Sequence, residues 1–177
     1  MGEIERCIDD EIPFDAPETW AWARLGMVVQ LTSGQDMTPD KYNDKEQGIP
    51  YLTGASNIEN GKVIINRWTT VPKSIAESGD LLITCKGTVG AMACLHSDRV
   101  HIARQIMAIR ICNLLCREYL HFFLETYILT LKAAAKSMIP GISREDVLTA
   151  LLPIPPLAEQ LRIVERIEKL TQNINAL

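Results

Sequence analysis

Up to about residue 111 the apolar residues alternate or fall in short runs, and beyond it they switch to a three-and-four spacing. The first regime predicts strands: Leu25 to Leu31 as a first core strand with Trp20 and Trp22 sharing a face just before it, then Ile49 to Thr53, Val63 to Trp68, Leu81 to Thr84, Ala91 to Leu95 and Gln105 to Ile111. In the last of these Ile106, Ala108 and Arg110 alternate with Met107, Ile109 and Ile111. Asn60-Gly61 supplies a dipeptide that tolerates positive φ in a tight hairpin, while Thr32 to Gly48 is polar, charged and Gly/Pro-bearing, a long exposed loop. Lys86-Gly87-Thr88-Val89-Gly90 breaks the sheet again.

In the second regime Leu120, Phe123, Leu124, Tyr127, Ile128, Leu131, Ala134 and Ala135 predict a helix over Arg117 to Ala135 with one face in the core. Ser143 with Asp146 three residues on predicts a capped helical turn. Pro153, Pro155 and Pro156 then form an elbow that no helix can cross, and a final helix begins at Leu157. Along it Ile163, Ile167, Leu170, Ile174 and Leu177 repeat at alternating four and three, an apolar seam suited to a partner helix. The competing expectation is an amphipathic helix folded back on its own domain. The chain therefore divides into an acidic extended lead-in (1–20), a mostly β body (21–155) and a C-terminal helix (156–177), an α+β arrangement.

Net charge is −4 with a pI near 5.4, which at first argues against a nucleic-acid partner. The distribution changes that picture. Glu3, Glu5, Asp9, Asp10, Glu11, Asp15 and Glu18 face only Arg6 within the first twenty residues, so the remainder, with 17 Lys/Arg against 15 Asp/Glu, carries +2. Five cysteines, an odd number with no signal peptide ahead of them, predict free thiols in a reducing cytoplasm. Cys112, Cys116 and His121 invite a metal reading, but no fourth ligand stands at a zinc spacing. No apolar run reaches the roughly 18 residues of a membrane span.

Catalytic signatures are missing. No GK[ST] follows the glycines at 87 and 90, no G-x-G-x-x-G occurs, and no acid stands two residues before a lysine as a metal-dependent nuclease would need. Pro155-Pro156 follows Ile154 rather than the Asn or Asp of an adenine methyltransferase signature, and His96, His101 and His121 have no paired nucleophile. What remains are donors and amides in loops: Gln35, Lys41 and Lys45; Thr53, Ser56 and Asn57; Lys86 and Thr88; Arg104 and Gln105; Lys136 and Ser137. Singly, each is an ordinary solvated loop residue. As a set they are the types that reach phosphates and base edges, Arg and Lys to guanine, Asn and Gln to adenine, and they predict a reader of DNA rather than a catalyst.

Several stretches, in this order, resemble the specificity subunits of type I restriction-modification enzymes: Trp22-Ala23-Arg24-Leu25-Gly26, Gly48-Ile49-Pro50-Tyr51-Leu52, Gly79-Asp80-Leu81-Leu82-Ile83, Gly87-Thr88-Val89-Gly90 and Ala135 to Ser143. The most specific is Pro153-Ile154-Pro155-Pro156-Leu157-Ala158-Glu159-Gln160 followed by Arg162-Ile163-Val164. The resemblance implies a β-rich target recognition domain with a packed helix, followed by a spacer helix of antiparallel coiled-coil type. It implies double-stranded DNA as ligand, one half of a bipartite site as target, and methyltransferase and restriction subunits as partners. The chain itself would be non-catalytic and cofactor-free, with S-adenosylmethionine, ATP and magnesium on the partner subunits. A single recognition domain further implies either self-pairing through the helix or a longer chain. The alternative expectation is a DNA-independent assembly module that uses the same helix.

Overall fold

The structure, a computed structural model, describes residues 7–134 and 141–175. Among these, the first half contains β1 (Ala21–Arg24), β2 (Val29–Ser33), β3 (Ile49–Leu52), β4 (Ile58–Glu59), β5 (Lys62–Val63) and β6 (Trp68–Thr69). There follow β7 (Ile75–Glu77), β8 (Leu81–Thr84), β9 (Met92–Cys94), β10 (Arg99–Ile102), β11 (Ile106–Ile111), α1 (Arg117–Ala134), α2 (Arg144–Leu148), β12 (Leu151–Ile154) and α3 (Leu157–Asn175).

Two four-stranded sheets, ordered β6-β3-β10-β7 and β2-β11-β8-β9, stack with a helical layer behind the second. The alternation in β11 is the key to this stacking. Ile106 and Ala108 join Leu52, Leu82, Ala93 and Ile102 in the core between the sheets, whereas Met107 and Ile109 join Leu31, Ile83, Leu120, Leu124 and Val164 in the core beneath α1 and α3. A sheet covered on both faces needs apolar residues at both parities, which is why LLIT and IMAIRI read as near-continuous hydrophobic runs. Burying each of these large side chains contributes roughly 1.5–3 kcal/mol. The expected α+β class, with a β-rich body, a packed helix and a terminal helix, is the architecture observed.

Several boundaries differ from expectation for definable reasons. Leu25 to Leu31 is not one strand: Leu25–Met27 is a 3-10 turn closed by Val28 N–H to Leu25 O (3.0 Å), and β2 starts at Val29. Leu25 and Val28 are both buried while Met27 is exposed, an inward spacing of three that suits a turn and not a pleat. Trp20 and Trp22 do not share a strand face. Trp20 precedes β1 and donates its indole N–H to Glu159 (3.1 Å), while Trp22 packs edge-on to Phe14 at 4.9 Å. The return strand over Val63 to Trp68 splits into β5 and β6, because the Asn57 side chain takes the Ile64 carbonyl (2.7 Å) and holds the backbone out of the ladder. The Asn60-Gly61 hairpin forms with positive φ at both residues (50° and 73°), and Ser143 and Asp146 close a reciprocal capping box at α2.

Candidate nucleic-acid interface

Strand order brings separate loops to one end of the sandwich. Between β10 and β11 the chain reverses in a tight turn, Ile106 N–H to Ala103 O (2.9 Å), with Arg104 and Gln105 as its central residues. Around that turn lie three other segments. The 34–36 segment docks through Gln35 N–H to Ile102 O (2.9 Å), and Gly34 approaches so closely that a Cβ there would sit 2.0 Å from Ala103 O. The 53–57 segment is tied by Ala55 N–H to Gln105 Oε1 (3.2 Å). The 85–90 loop is joined by Cys85 N–H to Gln105 O (2.8 Å). Gly87, at φ 76°, has room for no more than contact with Ala55. Buried Thr84 pins the root of this loop through its hydroxyl to Thr88 O and from Ala91 N–H (2.9 Å), and Lys132 of α1 donates to Val89 O (2.8 Å).

Gln35, Thr53, Ser56, Lys86, Thr88, Arg104 and Gln105 thus belong to neighbouring loops. Lys41 and Lys45 sit elsewhere, exposed over β6, where Thr69 donates to Lys41 O (2.7 Å) and Asn43 bridges Trp68. Asn57 requires a correction. It is fully buried; its Oδ1 accepts from Thr53 N–H (2.8 Å), Thr53 Oγ1 (3.1 Å) and Gly54 N–H (3.2 Å), and its Nδ2 donates to Ile64 O, so it braces the loop and offers DNA nothing. Lys136, Ser137 and, on the helix seam, Leu177 lie outside the described residues.

Two residues that the sequence did not single out as ligands shape this end. Asp36 binds the exposed Arg104 twice, Oδ1 from the backbone N–H (3.0 Å) and Oδ2 with Nε (2.7 Å). His101, fully buried, accepts Lys73 N–H (3.2 Å) and Ser74 N–H (3.1 Å) at Nδ1 and meets Gln35 O at Nε2 (2.8 Å). Those partners require the neutral ring with its proton on Nε2, donated to Gln35 O, and burial pushes its pKa down. No spacing along the chain links 36 to 104 or 101 to 35; only the strand order does.

The family model for the type I restriction modification DNA specificity domain matches residues 17–177. The chain belongs to that family. It is 24% identical over 163 residues to the putative type I restriction enzyme MjaX specificity subunit of Methanocaldococcus jannaschii, covering 87% of this chain and 37% of that protein. To the EcoAI specificity subunit of Escherichia coli it is 24% identical over 194 residues, covering 96% and 31%. The crystal structure of the HsdS subunit from Thermoanaerobacter tengcongensis superposes with a TM-score of 0.82 at 29% identity, covering 93% of this chain and 40% of that one. This specificity domain therefore spans about a third of the length of the curated relatives it matches.

The proline elbow of the specificity domain is a second, differently built region. Gln160 is fully buried, accepts Cys116 N–H (2.8 Å) at Oε1 and donates to Leu114 O (2.8 Å) and Pro155 O (2.9 Å), so it joins α3 to the chain entering α1. Tyr119 donates to Pro153 O (2.8 Å), and burial there pushes its pKa up to about 12. The seam divides along the helix. Ile163 and Ile167 fold back on the domain, lining an apolar groove of about 770 Å³ with Phe14, Trp22, Phe122 and Phe123, whereas Leu170 and Ile174 run on exposed (48% and 70%). Among the described residues no group of His, Cys, Asp and Glu is placed to hold a metal, and no helix is long and apolar enough to cross a membrane.

Proposed function

We propose that this domain reads one half of a bipartite duplex DNA site and directs the methyltransferase and restriction subunits of a type I complex to it. The observation that carries this is the meeting of loop-borne donors around the Arg104–Gln105 turn, in a chain of the specificity-domain family. Lys and Arg contacts to phosphate set register, and side chains on the turn address base edges. The domain does no chemistry and takes no cofactor; S-adenosylmethionine, ATP and magnesium belong to partner chains in the cytoplasm. With +2 on residues 21–177, the domain alone binds DNA weakly, and the assembled complex binds tightly through added contacts.

Selection from a randomised duplex pool, with and without a methyltransferase subunit, tests the reading: a recurrent motif supports it, and a pool that enriches nothing in either arm overturns it. That outcome would favour the second reading, a DNA-independent assembly module, for which the exposed Leu157, Leu161, Leu170 and Ile174 speak.

For α3 the occupant we favour is the same helix of a second copy, antiparallel. The seam leaves the groove without interruption, and the helix carries Glu159, Glu165 and Glu168 against Arg162, Arg166 and Lys169, a balanced set that an isologous antiparallel pair can match. Leu170→Asp should weaken pairing at least about tenfold by placing a charge in the exposed part of the apolar seam. Sedimentation that shows the same oligomeric state for both proteins would remove the pairing.

A further inference from the structure

We infer that the Arg104–Gln105 turn is a donor-only reader whose match is the major-groove edge of guanine, with Asp36 as the residue that aims it. The inference rests on the DNA-reading function proposed above and changes what the turn should read, since a glutamine by itself suggests adenine.

The argument starts at Gln105. A side-chain amide contacts adenine bidentately by accepting from N6 and donating to N7, so it needs its oxygen and nitrogen both available. Here the oxygen is engaged. Oε1 accepts Ala55 N–H (3.2 Å), and it is walled in by Gly54, where a Cβ would lie 2.6 Å from Oε1 but 3.8 Å from Nε2. Because the partner is a backbone donor, the assignment of oxygen to this side is forced. Nε2 has no partner among the described residues, and it is not sealed from solvent, because the Trp22 indole nitrogen is the one atom there both buried and unpaired. The free end of Gln105 is therefore a donor.

Arg104 is the next residue of the same turn and carries donors alone. Asp36 Oδ2 pairs with its Nε at 2.7 Å while Oδ1 holds its backbone N–H, leaving Nη1 and Nη2 without a partner among the described residues on an arm whose base is fixed from two sides. Two adjacent residues thus present donors and no acceptor. Guanine offers N7 and O6, two acceptors on one base, whereas adenine sets an N6 donor beside N7 and would oppose donor with donor.

The test uses the domain assembled with a methyltransferase subunit and a duplex from the randomised pool. The expected motif contains a guanine at which 7-deazaguanine, lacking the N7 acceptor, lowers affinity about 5- to 150-fold, while inosine, which keeps N7 and O6, does not. Gln105→Glu keeps an oxygen for Ala55 N–H and turns the free end into an acceptor, so enrichment should move from guanine toward cytosine, whose N4 donates. Asp36→Asn retains the hydrogen bond to the Arg104 backbone and loosens the guanidinium; preference for guanine over adenine should fall while total affinity rises, because a negative charge leaves the interface. A merely structural Asp36 would lower both together. A motif without such a guanine, or one indifferent to 7-deazaguanine and to Gln105→Glu, overturns this inference and leaves the DNA-reading function standing. A pool that enriches no motif overturns both.

Discussion

The elbow and the Arg104–Gln105 turn are built from the same kinds of residue and treat their hydrogen bonds in opposite ways. At the elbow, Gln160 uses both ends of its amide on Cys116 N–H, Leu114 O and Pro155 O, and Tyr119 and Trp20 close their donors onto Pro153 O and Glu159. At the turn, Gln105 uses its oxygen on Ala55 N–H and Arg104 its backbone N–H and an ion pair on Asp36, and the remaining donors have no partner among the described residues. A buried amide satisfied on all sides specifies one geometry, while a half-satisfied one at the surface is an unfilled valence for a ligand. The most family-specific stretch of the sequence is accordingly a structural joint, and the stretch proposed to choose the ligand lies outside it.

The sharpest way to break the comparison is Gln160→Leu. Two buried backbone groups, Cys116 N–H and Pro155 O, and the part-buried Leu114 O lose their partner, so urea unfolding should report a loss of about 2–5 kcal/mol; a loss below about 1 kcal/mol would show that water or a shifted backbone replaces the amide. High pH attacks the same joint more gently. The Tyr119 pKa is raised in the folded state, so its stabilising contribution is whole below about pH 10 and is lost as pH rises toward 12, by at most about 3 kcal/mol. Tyr119→Phe should flatten that limb of a stability–pH curve, and an unchanged limb would separate Tyr119 from it.

Acid acts on the other region. The His101 pKa is lowered by burial, so below about pH 6.5 the unfolded chain takes up a proton that the folded ring refuses, and stability falls with pH. Protonation at Nδ1 would break the bonds from Lys73 and Ser74 N–H; amide exchange there, relative to its intrinsic rate at each pH, should quicken as pH falls below about 6.5 while Cys116 N–H at the elbow stays protected. Equal quickening at both would erase the distinction. The smallest expected effect is Arg104→Ala on stability, within about 0.5–1 kcal/mol for an exposed ion pair. A loss of 2 kcal/mol would make Arg104 part of the scaffold.

Much of this was legible in the chain. Periodicity located β8, β11 and α1, because alternation and three-and-four spacing are imposed by burial on one or two faces, and the proline elbow located the start of α3. Leu25–Met27 was misread as strand because its inward residues are apolar like those of a strand and differ only in spacing. Asn57 looked like a ligand because an amide beside a turn is ambiguous until the carbonyls around it are known.

By itself, the sequence determined the two periods, the proline stop, the capping box at Ser143, the left-handed turn at Asn60-Gly61 and the family to which the chain belongs, all properties that are local or additive along the chain. Only the tertiary structure decided which donors remain free. That depends on partners such as Asp36 for Arg104 and Ala55 for Gln105, separated by 68 and 50 positions and joined by strand order rather than by any pattern a single chain segment can carry.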